Sequence, residues 1–364
     1  MALAAGDWVE VRPREEIFAT LDENGQLQGL PFMPEMLRFC GQRFQVVKRA
    51  GKTCSETVGA RGLAYVSRRL RDTVHLEHRC DGSAHGGCQA GCLMFWKEAW
   101  LRPLASAARQ SPEENMVRHA GSCTEDNILL GASFRRPNGE VGYSCQATWL
   151  MAATTPLKLW DVGQYVEAYR SGNNSLRTVL KALVYVAYYY LTFARWPRLG
   201  AASRWAYDRF QLVWGGLPFP RKPGMIADGQ PQPRVDLDLQ PGELVRVKSY
   251  EEILQTLDRS ALNRGLSFDA ELVPYCGKVF RVRTRIERFI DEKTGRMRKM
   301  KTPAVILDGV YCQSLYSGQR ILCPRAVWLW WREIWLERVP EADMASSDKR
   351  GEGSCGSCRS VTAR

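Results

Sequence analysis

The chain has 364 residues, 45% of them hydrophobic and 25% charged, a balance that excludes a disordered or fibrous protein. That length holds two domains or three, each with its own core. A net charge of +12 admits nucleic acid, anionic lipid or acidic partners and selects none of them.

The opening MALAAGDWVEVRPREE has no basic segment followed by an apolar core, so no secretory signal is expected. The longest apolar run, Val179 to Ala194, carries Lys181 and falls short of the roughly 20 residues that span a bilayer. The expectation is a cytoplasmic protein with no transmembrane segment. In a reducing cytoplasm its twelve cysteines read as ligands or buried thiols rather than as a disulfide framework.

In chain order, WVEV at Trp8 alternates like a short strand, and REEIFATLD reads as a helix of two to three turns. RFQVVKR alternates again, and FWKEAWL predicts a further strand or a short packed helix. The same order returns later. Gly6 to Arg49 aligns without a gap on Gly242 to Arg285 at an offset of 236, with 18 identities in 44 positions, which marks an internal duplication. FWKEAWL likewise pairs with WWREIWL at Trp330.

The division expected is a first β module over residues 6–103 and its repeat over residues 242–339. Between them lie a mixed, then helical connector over 104–214 and a Gly/Pro-rich linker over 215–241. Residues 340–364 read as a disordered tail. The fold class expected is α+β, mainly β, with two homologous small SH3-like β-barrel modules joined by a helical segment.

Within the connector, DVGQYVEAYRSGN predicts a helix ending near Gly172, and a second helix starts at Asn174 or Ser175 and runs to Trp196. Its nearly all-round apolar set, including Leu176, Leu180, Leu183, Tyr190 and Phe193, predicts a buried strut between the modules. The Arg and Trp residues that follow also suit a peripheral membrane contact over 175–214 or single-stranded nucleic acid. Lys278 to Lys301 carries ten basic and three acidic residues around a DEKTG hairpin turn; it reads as a nucleic-acid contact or as a solvated sheet edge.

The chemistry concentrates in CDGSAHGGCQAGC, where Cys80, His85, Cys88 and Cys92 stand on a Gly-rich loop with spacing that suits a closed zinc site. The repeat carries Cys276 at the place of Cys40, Cys323 at the place of Cys88, and Cys312 near the place of Cys80. Cys40, Cys80 and Cys88, with Cys92 or His85 as the fourth, are therefore the expected metal ligands of the first module. Cys276, Cys312 and Cys323 are the expected cofactor-binding set of the second, with the fourth position taken by Cys145 or Cys123 reaching over, by a water, or by an exogenous group. Zinc is the expected metal and a [4Fe–4S] cluster the alternative. Simple packing of buried thiols competes with both, above all for Cys40 and Cys276. A reactive thiol beside His75, His78 or His85 is a further reading, and Cys355 and Cys358 form a C-x-x-C pair without strand–helix context.

The repeated block, the CDGSAHGGCQAGCLMFWKEAWL run and the LCPRAVWLWWREIWLERV run together resemble an uncharacterised group of bacterial proteins with a duplicated, Cys-containing, SH3-like β module. That resemblance implies no activity. The function expected is a metal-binding accessory or scaffold protein that serves an enzyme or biosynthetic pathway through a protein partner. The alternatives are an iron–sulfur or open-site metalloenzyme and a basic nucleic-acid-binding protein.

Overall fold

The computed structural model describes residues 2–59, 62–104, 123–193, 197–214, 222–227 and 229–340. The fold is α+β and mainly β, assembled from many small antiparallel sheets. The first run comprises β1 (Trp8–Val11), α1 (Arg14–Phe18), a 3-10 helix (Pro34–Phe39), β2 (Arg43–Gln45), β3 (Lys52–Gly59), β4 (Gly62–Arg69), β5 (Thr73–Arg79), β6 (Leu93–Lys97) and β7 (Leu101–Pro103). Helices α2 (Glu125–Gly131), α3 (Gln146–Trp149), α4 (Gly163–Arg170), α5 (Leu176–Phe193) and α6 (Pro197–Trp214) follow. The second run is β8 (Leu244–Val247), α7 (Tyr250–Leu254), a 3-10 helix (Val273–Tyr275), β9 (Val279–Arg285), β10 (Arg288–Ile290), β11 (Met297–Lys299), β12 (Ala304–Tyr311), β13 (Trp328–Arg332) and β14 (Leu336–Arg338).

In the second run five strands form one sheet in the order β13-β12-β9-β8-β14. The first run has the same neighbours but breaks between Gln45 and Lys48, leaving β7-β1-β2 and a second sheet in which β5 lies between Lys48–Arg49 and β6. The repeat shows a register shift at the matching place, between Val282 and Thr284. One strand bends at one position in both runs, as a bulge in one and an interruption in the other.

Helices α1 and α7 are each five residues long, shorter than the pattern predicts. The reason is local and identical in both. Thr20 Oγ1 donates back to Ile17 O at 2.7 Å and Thr256 Oγ1 to Ile253 O at 2.8 Å. Asp22 and Asp258 then accept two backbone N–H groups each, which turns the chain out of the helix.

Packing repeats as well. Trp100 donates its indole N–H to Thr20 and lies edge-on to Phe32, with centroids 5.1 Å apart; Trp335 does the same with Thr256 and Phe268, also at 5.1 Å. Glu98, paired with Arg49, accepts the backbone N–H of Leu3, and Glu333, paired with Arg285, accepts that of Leu239. The last stretch of the linker, from Leu237, is thereby laid onto the second run. Two separate apolar cores result, one around Trp96 and Trp100 and one around Trp331 and Trp335.

The two runs clasp each other. Ile290 on β10 donates its N–H to Cys88 Sγ at 3.4 Å, and Cys54 on β3, 236 positions before Ile290, meets Cys323, 235 positions after Cys88. Between them Arg79 donates to Gly91 O at 2.9 Å and to Ala326 O at 2.7 Å, matching carbonyls of the two Cys-bearing loops.

Helix α5 starts where expected, with Ser175 Oγ accepting the Thr178 N–H. It is two-faced rather than buried all round. Val179, Ala182, Tyr185 and Tyr188 pack into a third cluster with Ile321 and Leu322 of the second run, whereas Leu176, Leu180, Leu183 and Val184 face outward. Pro197 opens α6, a helix that the Arg/Trp mixture did not signal; proline's missing N–H costs nothing at a first helical position. Arg195 and Trp196 lie outside the described residues, as do residues 341–364 of the tail with Cys355 and Cys358.

His75, in the middle of β5, is fully buried against Phe95. Its Nδ1–H donates to Met94 O at 2.9 Å, and burial holds its pKa down at about 3 against an ordinary value of 6.5. Below pH 6.5 the unfolded chain therefore binds a proton that the native chain refuses, so stability falls as pH falls. About 3 kcal/mol should be lost by pH 4 from this group. His75→Phe should flatten that part of the pH–stability curve, measured by urea unfolding at a series of pH values; an unchanged slope would show that His75 is not its source.

Candidate metal centre

The 3-10 helix at Pro34 and the loop between β5 and β6 build the site together. Burial places Glu35 at 4% exposure on that helix, with Oε1 accepting from His85 Nδ1 at 2.7 Å, from the Ala84 N–H at 3.2 Å and from Cys80 Sγ at 3.6 Å. Glu35, Cys80 and His85 each bring a ligand atom within 4.8 Å of the other two. Oε2 of Glu35 is buried and has no hydrogen-bond partner among the described residues.

His85 carries the clearest chemical information. Its Nδ1 faces the Glu35 carboxylate, and its Nε2 faces the backbone carbonyl of Ser144 at 3.0 Å. A carbonyl oxygen only accepts, so Nε2 bears a proton and Nδ1 is left to hold either a second proton or a cation. Burial alone would lower the His85 pKa, but the Glu35 hydrogen bond and charge outweigh it and raise it. In the same way burial would raise Glu35, and His85 brings it below the ordinary carboxyl range. Each partner thus favours the charged form of the other.

The loop reaches this shape through its glycines. Gly82, at φ +73°, accepts the N–H groups of His85 at 3.0 Å and Gly87 at 2.9 Å, and a Cβ there would collide with the Cys88 backbone. Gly91, at φ +58°, lies against the Trp328 indole of the second run with no room for a side chain.

Beside the triad is a cavity of about 30 Å³ lined by Cys80, His85, Cys88, Cys92 and Cys145, with Ile290 and Arg325 from the second run. That volume suits a single small occupant. Cys145 arrives from the connector because Gln146 is pinned to the edge of β6, donating to Phe95 O at 2.8 Å and accepting the Phe95 N–H at 2.8 Å. Burial pushes the thiols up: Cys80 strongly, Cys92 to about 12 and Cys145 to about 11. Unliganded, these three are neutral at physiological pH.

Cys40 stands elsewhere. It follows the last residue of the 3-10 helix, packs against the first core, and has Arg14, Glu15 and Glu125 as its charged neighbours. The residue of that helix that reaches the loop is Glu35. Cys276, its counterpart, is pushed up to about 12 by burial and has Glu251 beside it. Cys312 and Cys323 do come together, but with Cys54 of the first run. Register confirms the counterpart of Cys80, since Cys80 N–H donates to Cys92 O and Cys312 N–H to Val327 O, at 2.9 and 2.8 Å.

Glu35 and Cys54 escaped the sequence reading. For Glu35 a signal existed: Glu271 stands 236 positions later, is fully buried, and accepts the N–H groups of Leu315 and Tyr316 in the repeat's own loop. The second loop carries Arg320, paired with Asp269 at 2.5 Å, where the first has a histidine. The shared role of this glutamate is to clamp the loop; in the first copy Cys80 and His85 also bring a ligand-type atom close to it.

Several basic residues of the Lys278–Lys301 segment are paired within the chain: Arg285 with Asp236 and Asp238, Arg296 with Glu140, Arg298 with Asp291, and Arg283 with Asp308. Among the described residues no helix is long and apolar enough to cross a membrane. Comparison with protein families and with curated proteins finds no match to this sequence.

Proposed function

We propose that this chain is a zinc-binding accessory or scaffold protein of the cytoplasm, serving an enzyme or biosynthetic pathway through a protein partner. The observation that carries the metal reading is His85. Its Nε2–H is spent on the Ser144 carbonyl, the outer hydrogen bond that metal-bound histidines characteristically make, and its Nδ1 is aimed at Glu35 and Cys80. Glu35, Cys80 and His85 offer carboxylate oxygen, sulfur and nitrogen, a mixture that suits zinc, and the thiols of Cys88, Cys92 and Cys145 line the cavity beside them. The small cavity favours a single ion over a [4Fe–4S] cluster. The set Cys276, Cys312 and Cys323 has less support as one cofactor site, because Cys276 is shaped by Glu251 while the other two face Cys54.

We further propose that the two runs are duplicated SH3-like modules, as the repeated strand order, Thr–Trp–Phe packing and Arg–Glu pairs suggest. The metal would hold the loop between β5 and β6 where the two modules meet, a structural rather than a catalytic duty. Binding of nucleic acid has less support, given how many arginines of the segment from Lys278 to Lys301 are already paired.

Cobalt(II) added to metal-free protein tests the site. Thiolate coordination should give intense near-ultraviolet charge-transfer bands, weakened in Cys80→Ser and in Cys88→Ser and displaced by zinc. Spectra indistinguishable from aqueous cobalt would refute a thiolate site.

A further inference from the structure

We propose that Cys54 and Cys323 form a second thiol site, a dithiol that a peroxide converts to a disulfide joining the two runs. The inference stands apart from the metal reading, since neither residue lines the cavity.

The geometry brings the two thiols side by side: Cys54 on β3 and Cys323 share a side-chain hydrogen bond, and the backbone N–H of Arg325 also points to the Cys323 sulfur. Three further bonds hold the facing segments in place. Lys52 Nζ donates to Ile321 O at 2.6 Å, Arg325 Nη1 donates to Cys54 O at 2.9 Å, and Ser67 Oγ donates to Gln319 O. Both cysteines are free and each is 4% exposed.

The charges around the pair favour a thiolate at Cys323. Lys52 is buried, donates also to Gln164, and has no carboxylate partner among the described residues. Burial lowers its pKa to about 8, and the two cysteine sulfurs are what oppose that fall. Burial would raise Cys323, but the hydrogen bonds from Cys54 and Arg325 and the nearby Lys52 bring it below the ordinary thiol value, while Cys54 is held well above it. The Lys52 ammonium and the Arg325 N–H beside Cys323 favour that sulfur as the nucleophile.

Packing alone does not call for this pair. The matching contact on the other side of the clasp puts Ile290 against Cys88, so the position of Cys54 accepts an aliphatic side chain. Here a cysteine faces a cysteine.

The chemistry balances with hydrogen peroxide as oxidant. Cys323 gives up its proton to solvent, its thiolate attacks one peroxide oxygen, the O–O bond breaks, and the departing hydroxide takes up that proton to become water, giving a sulfenic acid at Cys323. The Cys54 sulfur then attacks the Cys323 sulfur, the S–O bond breaks, and water departs with the Cys54 proton. Two thiols and one peroxide become one disulfide and two waters. Because both sulfurs are so little exposed, the oxidant must be as small as a peroxide.

The test is hydrogen peroxide treatment of the full chain, alkylation of remaining thiols after denaturation, and peptide mapping. A Cys54–Cys323 cross-linked peptide is expected in wild type and absent in Cys54→Val, a variant that the Ile290 counterpart indicates will fold. Lys52→Met should slow formation of the cross-link several-fold. Recovery of Cys54 and Cys323 both alkylated while other cysteines have reacted would overturn the proposal, as would a disulfide from Cys323 to any other partner.

Discussion

Trp100→Ala and Trp335→Ala should each destabilise the protein by about 3–5 kcal/mol, and by nearly the same amount. Each indole is fully buried, donates to a threonine that ends a one-turn helix, and meets a phenylalanine edge-on at 84° and 83°. Truncation removes the buried ring surface, leaves a cavity and deprives the threonine oxygen of the indole hydrogen bond. Since the two rings belong to separate cores, the double variant should cost close to the sum of the singles. Urea unfolding followed by tryptophan fluorescence and circular dichroism checks this. A cost below about 1 kcal/mol for either variant would mean that the two rings do not play equivalent parts.

Breaking the Glu35–His85 pair should be of similar size. Both side chains are almost wholly buried, at 0% and 1% exposure, so removing one strands the charge of the other. His85→Ala should cost about 3–5 kcal/mol in metal-free protein. Glu35→Gln combined with His85→Gln should recover much of that loss, because no lone buried charge then remains. A metal-loaded protein adds a second signature. A chelator should lower the melting temperature of wild type and leave that of His85→Ala unchanged. A chelator effect that survives His85→Ala would move the metal elsewhere.

Much of this architecture is legible in the residues, because both copies carry the same short-range signals. The alternation of WVEV and LVRV, the cap at Ser175 and the DEKTG turn of the β10–β11 hairpin are local, and local chemistry produces them. The Gly-rich Cys loop is legible for the same reason. What escapes is long-range. Glu35 looks like one more surface charge on a short helix, and only its burial opposite His85, 50 positions away, changes its meaning. Cys54 has an isoleucine as its counterpart, and its partner stands 269 positions later, so neither the repeat nor the spacing reveals it. Cys40 and Cys276 coincide in the two copies, yet the common position is a helix end packed on each core. Coincidence between copies identifies what the fold needs, and a ligand set needs its own evidence.

For α5 the difference lies in what covers the helix. Leu176 and Leu180 continue the apolar pattern, but α4, α6 and the loop near Ile321 cover only the face bearing Tyr185 and Tyr188. Composition reports hydrophobicity, while topology decides which side finds a partner.

We propose above that the loop from Cys80 to Cys92 holds a metal with Glu35. Metal and acid-labile sulfide content, with an absorbance spectrum, of protein purified without oxygen tests it most directly. The expected result is a single zinc ion per chain and a colourless protein, with the zinc lost in Cys80→Ser. Protein that binds no metal would contradict the claim, and iron with equimolar sulfide would contradict its assignment to zinc.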